Sequence, residues 1–209
     1  MNLFIFYLEI FGTIAFAISG AMTGLKKKMD IFGICFLGVT TAVGGGIIRD
    51  ILLGHVPPET FKNPIYVIVS ILASLVIFIP VARKLLYNRK VFEILLLVTD
   101  SVGLGIFTVH GVNIAMESDF SDNSFLVVFV AMITGVGGGI LRDVLAGNTP
   151  YIFVKHVYAC ASIAGAILCM ILWQITGPNA AMLTGALAIT VIRLCAAKFR
   201  WSLPKAKDF

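Results

Sequence analysis

Charge is what this chain of 209 residues has least of. Asp, Glu, Lys and Arg make up 13% of it, about half the ~25% of an ordinary soluble protein, while 59% is hydrophobic and the mean hydropathy is +0.99. A soluble domain of this size could not cover so much apolar surface, and a disordered chain has few hydrophobic residues. The four cysteines form no ligand pattern. Cys35, Cys160, Cys169 and Cys195 show neither C-x-x-C nor Cys/His ligand spacing, so neither a disulfide framework nor a metal site is expected. Short alternating apolar segments are missing, which removes a β-barrel. Also missing are H-E-x-x-H, G-x-S-x-G and G-x-x-x-x-G-K-[ST]. The glycine triplets do not fit G-x-G-x-x-G, so no enzyme and no cofactor are expected.

What the chain does hold is seven apolar runs of helical length, each near the ~20 residues that cross a bilayer core. They lie at 3–25, 31–53, 64–86, 91–114, 124–145, 150–173 and 178–197. The expected fold is an all-α integral membrane protein with seven transmembrane helices in a single transmembrane domain over 1–209. Gly54 followed by Pro57 and Pro58, Gly147 followed by Pro150, and Gly177 followed by Pro178 mark helix ends and fresh starts. Residues Ala15, Phe16 and Ala17 imitate a signal-peptide cleavage site. However, there is no basic leader, Glu9 interrupts the run, and the apolar stretch continues to Lys26, so the segment is read as the first span.

The basic residues set an orientation. Lys26, Lys27 and Lys28 occupy the first connection, Arg83, Lys84, Arg89 and Lys90 the third, and Lys198, Arg200, Lys205 and Lys207 the tail. The fourth connection instead carries Glu117, Asp119 and Asp122. By the positive-inside rule the N-terminus lies outside and the C-terminus in the cytoplasm, which needs an odd number of spans. The net charge of +5 is thus spread over helix ends and is not gathered into a nucleic-acid surface.

The chain also repeats itself. Thr41, Gly44, Gly45, Gly46, Arg49, Asp50 and Gly54 recur as Thr134, Gly137, Gly138, Gly139, Arg142, Asp143 and Gly147, ninety-three residues later. Upstream the offset is ninety-one: Glu9, Gly12, Phe16 and Gly20 fall on Asp100, Gly103, Phe107 and Gly111, and Ser19 on His110. Pro57 falls on Pro150, and Tyr66 lies near the position of Tyr158. The first repeat is 3–86, the second 91–173, and the helix at 178–197 is extra. Units of three spans insert with opposite orientation, an architecture whose sites lie between the copies.

The paired V-G-G-G-I-x-R-D motifs, the three-plus-three-plus-one layout and the absence of a soluble domain resemble the bacterial branch of the trimeric intracellular cation (TRIC) channels, a domain also called a glycine transporter. The resemblance covers essentially the whole chain. It implies a homotrimer in the bacterial inner membrane, one pore per subunit passing K⁺ or Na⁺, membrane lipid between subunits, and no nucleic acid. The Lys-Glu-Val-x-x-x-Arg run of the animal members is absent, so phosphoinositide regulation is not carried over.

Two accounts of the triplets Gly44–Gly46 and Gly137–Gly139 stand side by side. They kink the second and fifth spans and turn carbonyls into a watery path, or they let helix backbones touch. Arg49, Asp50, Arg142 and Asp143 follow the triplets inside the membrane, where charge needs a partner or water. Matching depths predict two contacts, Glu9 with Arg49 and Asp100 with Arg142, made directly or through water, each gating one mouth of a pathway. Arg49 and Asp50 are sequence neighbours, so they are not expected to face each other on a helix. Ser19, Thr41 and Thr134 are pore-lining candidates, although such hydroxyls commonly bond their own helix. Lys155 and His156 are candidates for lipid phosphate. A cation channel would lack a T-V-G-Y-G filter and discriminate weakly among monovalent ions. The other reading is a secondary transporter for a small amino acid such as glycine.

Overall fold

The computed structural model describes residues 3–154 and 157–201, and among these the only regular structure is helical. The elements are α1 (Leu3–Lys26), α2 (Ile31–Leu52), α3 (Glu59–Lys62), α4 (Ile65–Phe78), α5 (Pro80–Leu86), α6 (Arg89–Met116), α7 (Ser124–Leu145), α8 (Tyr151–Val154), α9 (Tyr158–Thr176) and α10 (Pro178–Lys198). Six of them, α1, α2, α6, α7, α9 and α10, are long and apolar enough to cross a membrane.

Local chemistry sets the ends. Asp30 caps α2 by accepting from the Gly33 amide at 2.7 Å, and Asn123 caps α7 by accepting from the Leu126 amide at 3.1 Å; both satisfy amides that the first turn leaves orphaned. Past the other ends, Gly54 and Gly147 adopt φ of 76° and 64°, where a β-carbon is disfavoured. Capped at the same offset and stopped at the same offset, α2 and α7 both run for 22 residues.

Two spans expected to be single helices are divided. The stretch 64–86 becomes α4, of 14 residues, and α5, separated at Ile79, which is extended at φ −60° and ψ 138°. Pro80 is the cause, because its ring excludes the residue before it from the helical region. The stretch 150–173 becomes the single turn α8 and then α9.

The centre of the fold is α1, α2, α6 and α7: α1 packs on α2 and α6, α7 on α6 and α2. α4 lies on α1 and α2, while α9 and α10 cover α6 and α7. Lipid tails are as apolar as the core, so packing depends on close approach more than on removal from water. The glycines supply it. A Cβ on Gly45 would land on the Thr134 carbonyl oxygen, and one on Gly138 on the Thr41 carbonyl oxygen. Helical structure is uninterrupted through both triplets. The middle glycines therefore seat α2 against α7 backbone to backbone, the close contact that the second account of the triplets describes.

Candidate functional site

The ionisable side chains inside the bundle gather at its two ends, along α1 and α6, which run antiparallel. At one end, Glu9 of α1 meets α6 and α4: His110 Nε2 lies 2.8 Å from Glu9 Oε1, and the Tyr66 hydroxyl donates to Glu9 Oε2 at 2.6 Å. At the other end, Asp100 of α6 meets α7. Arg142 Nη1 donates to Asp100 Oδ1 at 2.5 Å and to the Ser19 hydroxyl at 2.6 Å, and Arg193 Nη2 lies 3.9 Å from Asp100 Oδ2. Arg142 and Arg193 are the two largest fully buried side chains of the described residues. Each also sits over an aromatic face, Arg142 over Tyr151 at 4.9 Å and Arg193 over Tyr158 at 4.5 Å, which stabilises a desolvated guanidinium.

Arg49 differs from expectation in one respect, and Arg142 repeats its geometry. Arg49 Nε donates to Asp50 Oδ1 at 2.8 Å, and Arg142 Nε to Asp143 Oδ1 at 2.9 Å. Side chains adjacent in sequence leave a helix at divergent angles, but an arginine stem is long enough to fold back around the axis. The other carboxylate oxygen is used as well: Asp50 Oδ2 accepts from the Glu59 amide and Asp143 Oδ2 from the Tyr151 amide, both at 2.9 Å. Each Arg-Asp pair thus fastens a short helix, α3 or α8, across the end of the bundle.

Asp100 and Arg142 are brought together; Glu9 and Arg49 are not bonded directly. His110 stands where the repeat has Ser19. Being longer than serine, it reaches Glu9 itself, while Arg49 is held by Asp50. Glu9 and Arg49 instead share the wall of a cavity of about 500 Å³ that Asp50, Glu59, Tyr66 and His110 also line. A smaller recess beside it extends inward to Phe107 and Gly46. At the Asp100 end a cavity of about 230 Å³ is lined by Lys26, Glu93, Tyr151 and Arg193. Between the ends, Phe16 and Phe107 stack with centroids 5.3 Å apart. Phe16 falls between Glu9 and Ser19 on α1, and Phe107 between Asp100 and His110 on α6, so the ring pair separates the two clusters. Gly103 makes room for it, since a Cβ there would enter the Phe16 ring, while one on Gly12 would first strike the Ile106 side chain at 2.6 Å.

The remaining candidates are placed as follows. The Thr41 and Thr134 hydroxyls each donate to their own helix, to the Leu37 and Val130 carbonyls at 2.6 Å. A Cβ on Gly44 or Gly137 would touch Leu141 or Ile48 of the facing helix. A Cβ on Gly46 would have Arg49 Nη2, at 3.7 Å, as its nearest neighbour, and one on Gly139 would lie 2.9 Å from the Tyr158 hydroxyl. Lys155 and His156 lie outside the described residues. Sequence reasoning missed Arg193, which looks like one more cytoplasmic basic residue until its burial is seen. It also left Tyr66 without a role, although the repeat pairs it with Tyr158. Several buried polar atoms have no hydrogen-bond partner among the described residues, including Asp100 Oδ2, Arg142 Nη2, Tyr158 Oη, His110 Nδ1 and Asn113 Oδ1. Buried polar groups left so are positions for water or ions.

A family model described as glycine transporter matches residues 6–81 and 97–174. The UPF0126 inner membrane protein YadS of Escherichia coli strain K12 is 38% identical over 202 residues, 96% of this chain and 95% of that protein. Among solved structures, one described as the structural basis for conductance through TRIC cation channels is 34% identical, covers 100% of this chain and 99% of its own, and has a TM-score of 0.82. A prokaryotic TRIC channel crystallised in 0.5 M KCl is 32% identical, covers 97% and 100%, and has a TM-score of 0.87.

Proposed function

Because the chain belongs to the bacterial trimeric intracellular cation channel family, whose model carries the description glycine transporter, we propose that it is a monovalent cation channel, permeable to K⁺, of the bacterial cell membrane. It works as a homotrimer with a pore in each subunit. The subunit has seven spans, α4 with α5 counting as the third, in two inverted repeats plus α10. The Glu9 end faces outside and the Asp100 end faces the cytoplasm, as the basic connections direct.

The observation that carries this reading is the pair of buried acid-base clusters at opposite ends of α1 and α6. Ionisable groups inside a membrane are costly and mark ion paths. Here they leave unpartnered buried polar atoms at both ends, with a cavity beside each. The path runs from the Glu9 cavity past Phe107 and Phe16 to Asp100. On this reading the stacked Phe16 and Phe107 rings close it and, below them, so does Arg142, which is held between Asp100 and Ser19. Conduction requires the rings to part and Arg142 to swing from Asp100, exposing a carboxylate to the ion. The glycine triplets contribute by letting α2 and α7 cross closely enough to hold the two arginine motifs beside the path, and lipid fills the seams of the trimer.

The test is reconstitution of purified protein in planar bilayers under a KCl gradient. Discrete unitary currents that do not saturate at low concentration, reversing near the K⁺ potential, are expected. Electrical silence together with saturable glycine uptake into liposomes would overturn the channel in favour of the transporter that the family model's description suggests.

A further inference from the structure

The repeat makes α1 and α6 counterparts, so the places where they differ show what distinguishes one mouth from the other. At an offset of ninety-one the small and acidic positions agree: Glu9 with Asp100, Gly12 with Gly103, Phe16 with Phe107, Gly20 with Gly111. The stripe that continues toward the mouth does not. Ser19, Met22 and Lys26 on α1 stand opposite His110, Asn113 and Glu117 on α6. Spacings of three and four residues put each stripe on one helix face, and the cavities show which way these faces look. His110, Asn113 and Glu117 all line the cavity at the Glu9 end, while Lys26 lines the one at the Asp100 end.

The consequence is a difference in charge and in free acceptors. The Glu9 cavity is walled by four carboxylates, Glu9, Asp50, Glu59 and Glu117, against the two cations Arg49 and Lys62. The Asp100 cavity has Lys26 and Arg193 against Glu93 alone. Deep in the first cavity, Asn113 is 2% exposed with its side-chain oxygen unbonded, and His110 is 4% exposed with Nδ1 unbonded. An unbonded carboxamide oxygen is an acceptor suited to a partly dehydrated cation or to the water that accompanies it. The counterpart Met22 is fully buried and offers none.

Resting on the channel reading above, we propose that Asn113 and Glu117 are specificity-determining residues that make the Glu9 end the cation-collecting mouth, so that each pore passes cations more readily from that end than from the other. Fields of this kind raise local counter-ion concentration and are screened by salt.

The experiment compares the two current directions within single reconstituted channels, which makes the direction of insertion irrelevant to their ratio. In about 0.01 M KCl, where the screening length is ~30 Å, wild-type currents rectify; in about 1 M KCl, where it is ~3 Å, rectification disappears. Glu117→Lys, which installs the α1 counterpart at an exposed site, changes the charge by two units roughly 10 Å from the ion path and lowers the favoured current about threefold at low salt. Lys26→Glu raises the opposite current by a similar factor, and Asn113→Met lowers the favoured current without changing its salt dependence. Unitary currents whose ratio is the same in wild type, Glu117→Lys and Lys26→Glu overturn the proposal while leaving the channel intact. Absence of unitary currents from the wild-type protein overturns both.

Discussion

Alanine in place of Gly45 and of Gly46 tests what the triplet is for, because the two neighbours face different surroundings. A Cβ at Gly45 would collide with the Thr134 carbonyl oxygen, whereas a Cβ at Gly46 has nothing closer than Arg49 Nη2 at 3.7 Å. A carbon beside a carbonyl oxygen needs roughly 3.3 Å, so Gly45→Ala forces α2 and α7 apart by about 1 Å. The obstacle is backbone and cannot rotate away. Overpacking costs about 1–3 kcal/mol in well-packed sites, and the rigid obstacle places Gly45→Ala at the upper end. Alanine's better helix propensity returns up to ~1 kcal/mol, for a net loss of about 2 kcal/mol. For a chain of this length each kcal/mol moves the melting temperature by roughly 2–4 °C, so Gly45→Ala melts about 4–8 °C lower. Gly46→Ala has the propensity gain alone and melts about 2–4 °C higher. Thermal unfolding in detergent, followed by tryptophan fluorescence and by elution of the intact protein, measures both. Equal shifts of the same sign would refute the packing account. A stable Gly46→Ala protein that no longer conducts would instead show that the triplet acts as a hinge.

Asp100→Ala leaves Arg142 buried without its main counter-charge, a loss of about 3–5 kcal/mol, whereas removing both partners is less harmful than the two single losses added together; a double-mutant cycle on melting temperature checks this coupling. Tyr66→Phe deletes a 2.6 Å bond to a carboxylate worth about 1.5–3 kcal/mol, with a corresponding fall in melting temperature. Thr41→Val removes a hydroxyl that donates only to the Leu37 carbonyl of its own helix, so unitary conductance stays at the wild-type value; a marked fall would place that hydroxyl on the ion path. Phe107→Ala empties a stacked ring site, costs about 3–5 kcal/mol and raises the open probability in planar bilayers.

The sequence by itself determined the all-helical membrane class, and six of its apolar runs are helices long and apolar enough to cross a membrane. Long apolar runs are decided by bilayer thickness, and helix stops such as Gly54 and Gly147 act within one turn, so both are readable locally. It also singled out Glu9, Arg49, Asp100 and Arg142, because a charge in an apolar run is conspicuous and burial in lipid would be costly. The meeting of Asp100 with Arg142 followed from depth alone.

Partners set by distances across helices were decided only by the tertiary structure. Glu9 goes to His110 and Tyr66 because an imidazole reaches where the matching serine would not, and depth in the membrane carries no information about reach. Arg49 and Arg142 fold back to their neighbouring aspartates, which helical spacing argues against but a flexible stem allows. Arg193 reads as one more basic residue at a cytoplasmic end until the packing of α10 on α6 and α9 buries it beside Asp100. The triplets could be read as hinge or as contact, since glycine lacks a side chain in either role. Only the position of the facing carbonyls, Thr134 on Gly45 and Thr41 on Gly138, shows that the missing β-carbons are where two backbones meet.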